Sequence, residues 1–325
     1  MRRREFITLV GGAAAALPLI ARAQQPPTKV WRVAYLYGGF LDAPTGQALF
    51  DAFRAEMRAF GYIEGKNLII DSRGAEGEAE RLPSLVNELI ALRPDVIVAN
   101  ATPAIAAARR ATSNIPIVMC PATDPVGSGF IKSLAHPGGN TTGVANMYGD
   151  AIGKSIELLH TILPAAKRIA VLMSSNPAHP EQYELAEAAI KTLSLKAVPV
   201  LAPTPADLEQ AFDRIVQENC DALFVLADPT RPTIVSLAAK TKIPAIYQFS
   251  SFVVLGGLAS YGASLTQMWR KAAQYVDKIF KGANPAEIPV EQPVVFELAL
   301  NLKTAAALGL SIPDSVVARA DKVIE

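Results

Sequence analysis

Residues 95–118, DVIVANATPAIAAARRATSNIPIV, read as a strand, a turn, a helix and a second strand. Val96 to Ala99 is an unbroken apolar run, Pro103 to Ala111 is alanine-rich with proline at its start, and Ile115 to Met119 is apolar again. Short apolar strands alternating with longer helical stretches argue for a parallel sheet with helices on both faces. Residues 221–247, DALFVLADPTRPTIVSLAAKTKIPAIY, repeat the plan, with T-x-I-P leading into the last strand where the first segment has T-x-x-I-P. Two related α/β lobes produce such a pair.

The pattern extends in both directions. Upstream, Val33 to Tyr37 and Leu68 to Asp71 read as strands. Helical spacing of Leu49, Phe53, Met57 and Phe60, and of Leu82, Leu85, Val86, Leu89 and Ile90, predicts the helices between. Downstream of a Gly/Pro-rich stretch come strands at Ile169–Met173 and Ala197–Leu201, with helices at Glu181–Leu193 and Leu208–Val216. The tail begins SLTQMWRKAAQYVDKIFKG, where Ser264 and Gln267 have capping-box spacing. Pro289 and Pro293 then bracket an extended link before a strand at Val294–Leu300 and a helix at Lys303–Leu308. Such a tail predicts a chain that crosses between the lobes three times, near Asn140 to Asn146, Leu258 to Gly262 and Ile288 to Pro293. The expected division is 29–144 plus 263–288 for the N-terminal lobe and 145–262 plus 289–325 for the C-terminal lobe.

The first 23 residues read differently. MRRREFITLVGGAAAALPLIARA joins a basic start, a short apolar middle and an Ala-Arg-Ala end. These are the parts of an export signal, and Arg3-Arg4 followed by Phe6-Ile7 resembles the twin-arginine type. Cleavage after Ala23 predicts a periplasmic product without membrane insertion. The 325-residue chain has a formal net charge of +1, and the signal holds four arginines against Glu5, so the remainder is near −2. That charge offers no basic face for nucleic acid. Cys120 and Cys220 are expected in different lobes as buried thiols, and His136, His160 and His179 have no metal-ligand spacing.

Enzyme and cofactor motifs are lacking. The first strand ends in Tyr37-Gly38-Gly39-Phe40 rather than G-x-G-x-x-G, and no P-loop sequence occurs. LASYG places Ser260 in a partial hydrolase elbow without the first glycine, and every histidine precedes it, against the hydrolase order. Ser128 in VGSGF also lacks the full elbow. The motifs therefore give no cofactor site and no catalytic constellation.

Several stretches carry a family resemblance: ATPA at Ala101, TDPVGSGFIKSLAHPGGNTTGV at Thr123, GGLASYG at Gly256, and the long tail from Ala272. Together they resemble the ABC-transporter substrate-binding family whose better-studied branch binds tryptophan or tyrosine. The resemblance covers essentially the whole chain after the signal. It implies the type I periplasmic-binding fold, with two Rossmann-like lobes, a three-strand hinge, and a ligand held in the cleft by closure. It also implies a small organic solute, an amino acid or aromatic compound, and an inner-membrane ABC permease as partner. A monomer is expected. A ligand-sensing module for a membrane signalling partner is the alternative, and a hydrolytic enzyme a weaker one.

Ligands of open α/β sheets lie beyond the carboxyl ends of the strands, near helix N-termini. In the first lobe those ends offer Tyr37, Gly38 and Gly39, then Asn100, Ala101 and Thr102, then Asp124. In the second they offer Ser175 and Asn176, then Asp228, then Tyr247 and Gln248. Each has a plainer reading as well: Asp228 and Thr102 as helix caps, Asp124 as a turn residue, Tyr37 and Tyr247 as core-edge aromatics. Trp269 reads as structural or surface, and Ser260 to Gly262 as hinge. Asp228 lies where the amino-acid branch has an ammonium-binding acid, though in an A-D-P turn rather than T-D-N. The turn Ser174 to Pro180, SSNPAHP, departs from that branch's N-x-S-E-x-N-S and lacks its acid.

Overall fold

The computed structural model describes residues 29–146, 149–227, 232–292 and 294–325. The first sheet is built from β1 (Trp31–Tyr37), β2 (Leu68–Gly74), β3 (Val96–Ala99), β4 (Ile117–Thr123) and β5 (Thr141–Asn146). Their order is β2-β1-β3-β4-β5, and every pair is parallel. Helices α1 (Pro44–Ala59), α2 (Leu82–Ala91) and α3 (Ala101–Ala111) connect the first four strands. β3 and β4 are buried at every residue, which explains why they read as continuous apolar runs rather than alternating ones.

The second half contributes α4 (Gly149–Ile162), β6 (Arg168–Met173), α5 (His179–Thr192), β7 (Lys196–Leu201), α6 (Leu208–Gln217), β8 (Ala222–Val225), α7 (Pro232–Thr241) and β9 (Ala245–Tyr247). There follow α8 (Ser250–Val254), β10 (Ala259–Ala263), α9 (Leu265–Phe280), β11 (Phe296–Asn301), α10 (Leu302–Ala307), α11 (Asp314–Val317) and β12 (Lys322–Ile324). The second sheet runs β12-β11-β10-β9-β8-β6-β7, parallel except for the β10–β11 pair.

The two similar segments are equivalent down to their hydrogen bonds. The Asp95 carboxylate accepts from Arg32 N at 2.8 Å, and Asp95 N donates to Arg32 O at 2.8 Å. The Asp221 carboxylate accepts from Arg168 N at 2.9 Å, and Asp221 N donates to Arg168 O at 2.8 Å. Each aspartate satisfies backbone groups at the start of the neighbouring strand. The prolines correspond too: Pro116 O accepts from Ile97 N and Pro244 O from Leu223 N, both at 2.9 Å.

The chain leaves the first sheet after β5 for α4, which packs on α5 and β10. It leaves the second sheet after β10 for α9, which packs on α1 and across β4 and β5. It returns between Glu291 and β11. Glu291 bonds to Gly143 and Ala145 of β5, and Ser264 N donates to Val295 O at 3.2 Å. Residues 141–146 and 259–263, expected as linking segments, are thus full strands of the two sheets. The last long strand begins at Phe296, two residues later than expected. Ser264 is the N-cap of α9, but its side chain makes no cap hydrogen bond, so the expected capping box does not form. Trp269, on α9, is fully buried and stacks on Tyr35 at 4.9 Å. Cys120, in β4 of the first sheet, and Cys220, just before β8 of the second, are both buried and unbridged. Among the described residues, no helix is long and apolar enough to cross a membrane.

Candidate functional site

The carboxyl ends of the parallel strands carry unusual backbone. Four non-glycine residues with positive φ, Arg93, Ser194, Asn219 and Lys242, follow helix ends, where the left-handed conformation closes a helix. Glu76, Ala101 (φ 65°) and Asp124 (φ 34°) instead follow β2, β3 and β4. A non-glycine residue held there costs roughly 1–3 kcal/mol, a cost that concentrates at functional sites.

In the first lobe, the β1 end is tied down by backbone bonds. The carbonyls of Tyr37, Gly38 and Gly39 accept from Ala75, Gly77 and Glu76 N–H groups. Asn100 is buried, its Oδ1 accepts from Gly38 N at 3.2 Å, and its Nδ2 donates to Cys120 O at 3.4 Å. It therefore clamps the ends of β1, β3 and β4. Tyr37 is buried with its ring 6.2 Å from Trp269, the core-edge placement. Thr102 sits in the first turn of α3, 1% exposed, and its hydroxyl meets no partner. Asp124 is half-buried and turns one oxygen onto Gly127 N at 2.9 Å.

In the second lobe, Ser175 is exposed and donates to Pro203 O at 3.2 Å. Asn176 is buried, and its Oδ1 accepts from Ala178 N at 3.1 Å, opening α5. Behind this turn lies His179. Ser174 N donates to its Nδ1 at 2.7 Å, so Nδ1 carries no proton and the Nε2–H donates to Ala227 O at 3.0 Å. Tyr247 is fully buried against Phe252, ring centroids 4.7 Å apart, and burial pushes its hydroxyl pKa up. Gln248 is 2% exposed, and neither atom of its amide has a partner. Asp228 lies outside the described residues.

Cavities among the described residues bridge the halves. One, of about 290 Å³, lies between the Asp124 turn, the passages at Asn146, Gly149 and Gln292, and the α5 residues Glu181, Gln182 and Leu185. Another, of about 210 Å³, joins Thr45 and Leu49 of α1 to Ser250 and Ser251 of α8, with Glu297 and Lys322. Gln182, absent from the sequence-based candidates, is 2% exposed with a partnerless Nε2. Its only sequence signal is a place one turn into α5, and in the fold its Oε1 accepts from Ala227 N at 3.4 Å. Among the described residues, no three His, Cys, Asp or Glu side chains are placed to hold a metal ion.

Two mostly parallel sheets, three passages between them and partnerless polar atoms at the strand ends define a two-lobed binding protein of the type I periplasmic class. The ABC transporter substrate binding protein family matches residues 39–324, and the chain belongs to that family. The tyrosine-binding protein of Clostridioides difficile strain R20291 is 30% identical over 255 residues, 77% of this chain and 73% of that protein. A Streptococcus pneumoniae ABC domain in complex with L-Trp superposes with a TM-score of 0.82 at 28% identity, covering 90% of this chain and 99% of the other. The ligand-free, open structure of a C. difficile substrate binding protein with adhesive properties gives 0.63 at 25% identity, covering 91% and 99%.

Proposed function

We propose that this chain is the periplasmic receptor of an ABC importer, exported by the twin-arginine-like signal at residues 1–23, which binds an amino acid, aromatic in class, and presents it to a membrane permease. The observation that carries the reading is the placement of buried, partnerless polar atoms at a strand end and in first helical turns of both halves: Thr102 Oγ on one side, Gln248 and Gln182 on the other. Buried polar groups in native proteins find partners, and a solute in the cleft supplies them from both lobes at once. The lobes divide as 29–144 with 263–288 and 145–262 with 289–325, moving about the three passages. The higher similarity to the L-Trp complex than to the open, ligand-free relative, at nearly equal identity, supports a closed arrangement as the bound form.

In this reading the solute carboxylate takes the Thr102 hydroxyl and the first-turn amides of α3, where the helix dipole favours negative charge. Its ammonium pairs with Asp228. The test is calorimetry with L-tyrosine, L-tryptophan, L-leucine and the amine-free acid 3-(4-hydroxyphenyl)propionate. Asp228→Asn is expected to weaken the amino acid by about 30-fold or more, the loss of a charged partner, and the amine-free acid far less. Equal affinity of wild type and Asp228→Asn for an amino acid removes the ammonium role. Turnover of any solute by the purified protein overturns the receptor reading.

A further inference from the structure

We infer that the hinge end of the cleft is a subsite for an uncharged hydroxyl on an apolar body, and that Gln182 is the residue that selects it; the inference rests on the cleft being the solute site. Gln182 Oε1 accepts from Ala227 N at 3.4 Å. A peptide N–H only donates, so this contact fixes which amide atom is oxygen and leaves the NH2 as the partnerless atom. Gln182 is 2% exposed and lines the cavity of about 290 Å³ described above. A buried donor without an acceptor is costly, and a ligand acceptor relieves that cost.

The charge of the cavity narrows the ligand group. Asp124 and Glu181 line it, with no Lys or Arg among the described residues that do. A carboxylate would satisfy Gln182 but face two acids. An ammonium would satisfy an acid but leave the Gln182 NH2 unpaired. A hydroxyl accepts from Gln182 and donates to a carboxylate, which satisfies both. Val126, Leu134 and Leu185 supply apolar wall for the body that carries it. No charge needs to be buried for this group, so the subsite avoids the desolvation penalty of an ion.

The experiment is calorimetry on the full chain after signal removal, with two matched probe pairs: L-tyrosine against L-phenylalanine, and 3-(4-hydroxyphenyl)propionate against 3-phenylpropionate. The wild type is expected to prefer the hydroxylated member of whichever pair binds by about tenfold or more. Gln182→Met should bring that ratio to about one. Gln182→Leu removes the same donor with a different apolar shape and should also abolish the preference, so a packing defect in Gln182→Met does not blunt the test. Binding of neither pair to the wild type overturns the aromatic-solute reading and this subsite with it. Binding without a hydroxyl preference, or a preference that survives both variants, overturns the role of Gln182 and leaves the receptor reading standing.

Discussion

Gly262 shows how a single residue can be conspicuous in sequence for a different reason than the one that operates. Its place in SYG suggested a hinge glycine valued for conformational freedom. Its φ is not in the left-handed region; instead a Cβ there would lie 1.9 Å from Gln248 O. The glycine lets β10 approach the end of β9, where Gln248 stands. Gly262→Ala should therefore cost about 1–3 kcal/mol, the range for overpacking, and weaken solute binding by displacing Gln248. A denaturant titration that gives unchanged stability would sink this account. Asn100, a ligand candidate in the sequence, also serves the fold: its side chain accepts from one backbone group and donates to another. Thr102, two residues on, keeps its hydroxyl without a partner.

At the scale of elements, α9 is the piece on which the two lobes depend. It follows a strand of the second sheet yet packs on the first. Its buried Tyr275 hydroxyl donates to Pro289 O at 2.6 Å and accepts from Glu291 N at 3.0 Å, so it holds the third passage against the first lobe. Lys271 adds an ion pair to Glu291 at 2.7 Å, half in solvent. Removing the buried hydroxyl in Tyr275→Phe should cost about 1–2 kcal/mol. Lys271→Met should cost less, about 0–1 kcal/mol, because an exposed ion pair is screened. Urea titration of both variants checks the order, and a larger loss from Lys271→Met would reverse it. α9 was legible from its periodicity. α4 was not anticipated although Ile152, Ile156 and Leu159 stand at helical spacing and are buried. Short elements such as α8 and β12 carry too few residues for a period to emerge, and they form because longer neighbours pack around them.

For the whole molecule, the prediction is a change of shape. Lobes joined by three passages should close on the solute, so the radius of gyration from small-angle scattering should fall at saturating ligand. The melting temperature should rise with ligand concentration, because the solute binds only the folded state. A radius that stays constant while the melting temperature rises would mean binding without closure.

The alternation of apolar runs and helical periods determined the α/β class, and the internal likeness of residues 95–118 and 221–247 determined that the unit occurs twice, because periodicity is a local property written in consecutive residues. The tail's prolines and its late helix likewise announced that the chain returns across the lobes. Only the tertiary structure decided which buried polar side chains have partners and which do not. Asn100 and Gln182 are both amides near strand or helix starts, and no local rule separates them. What separates them is whether distant backbone groups, Gly38 and Cys120 for one and Ala227 for the other, reach both atoms of the amide or only its oxygen. Hydrogen-bond satisfaction depends on neighbours that are far apart in the chain, and those neighbours exist only once the sheets are assembled.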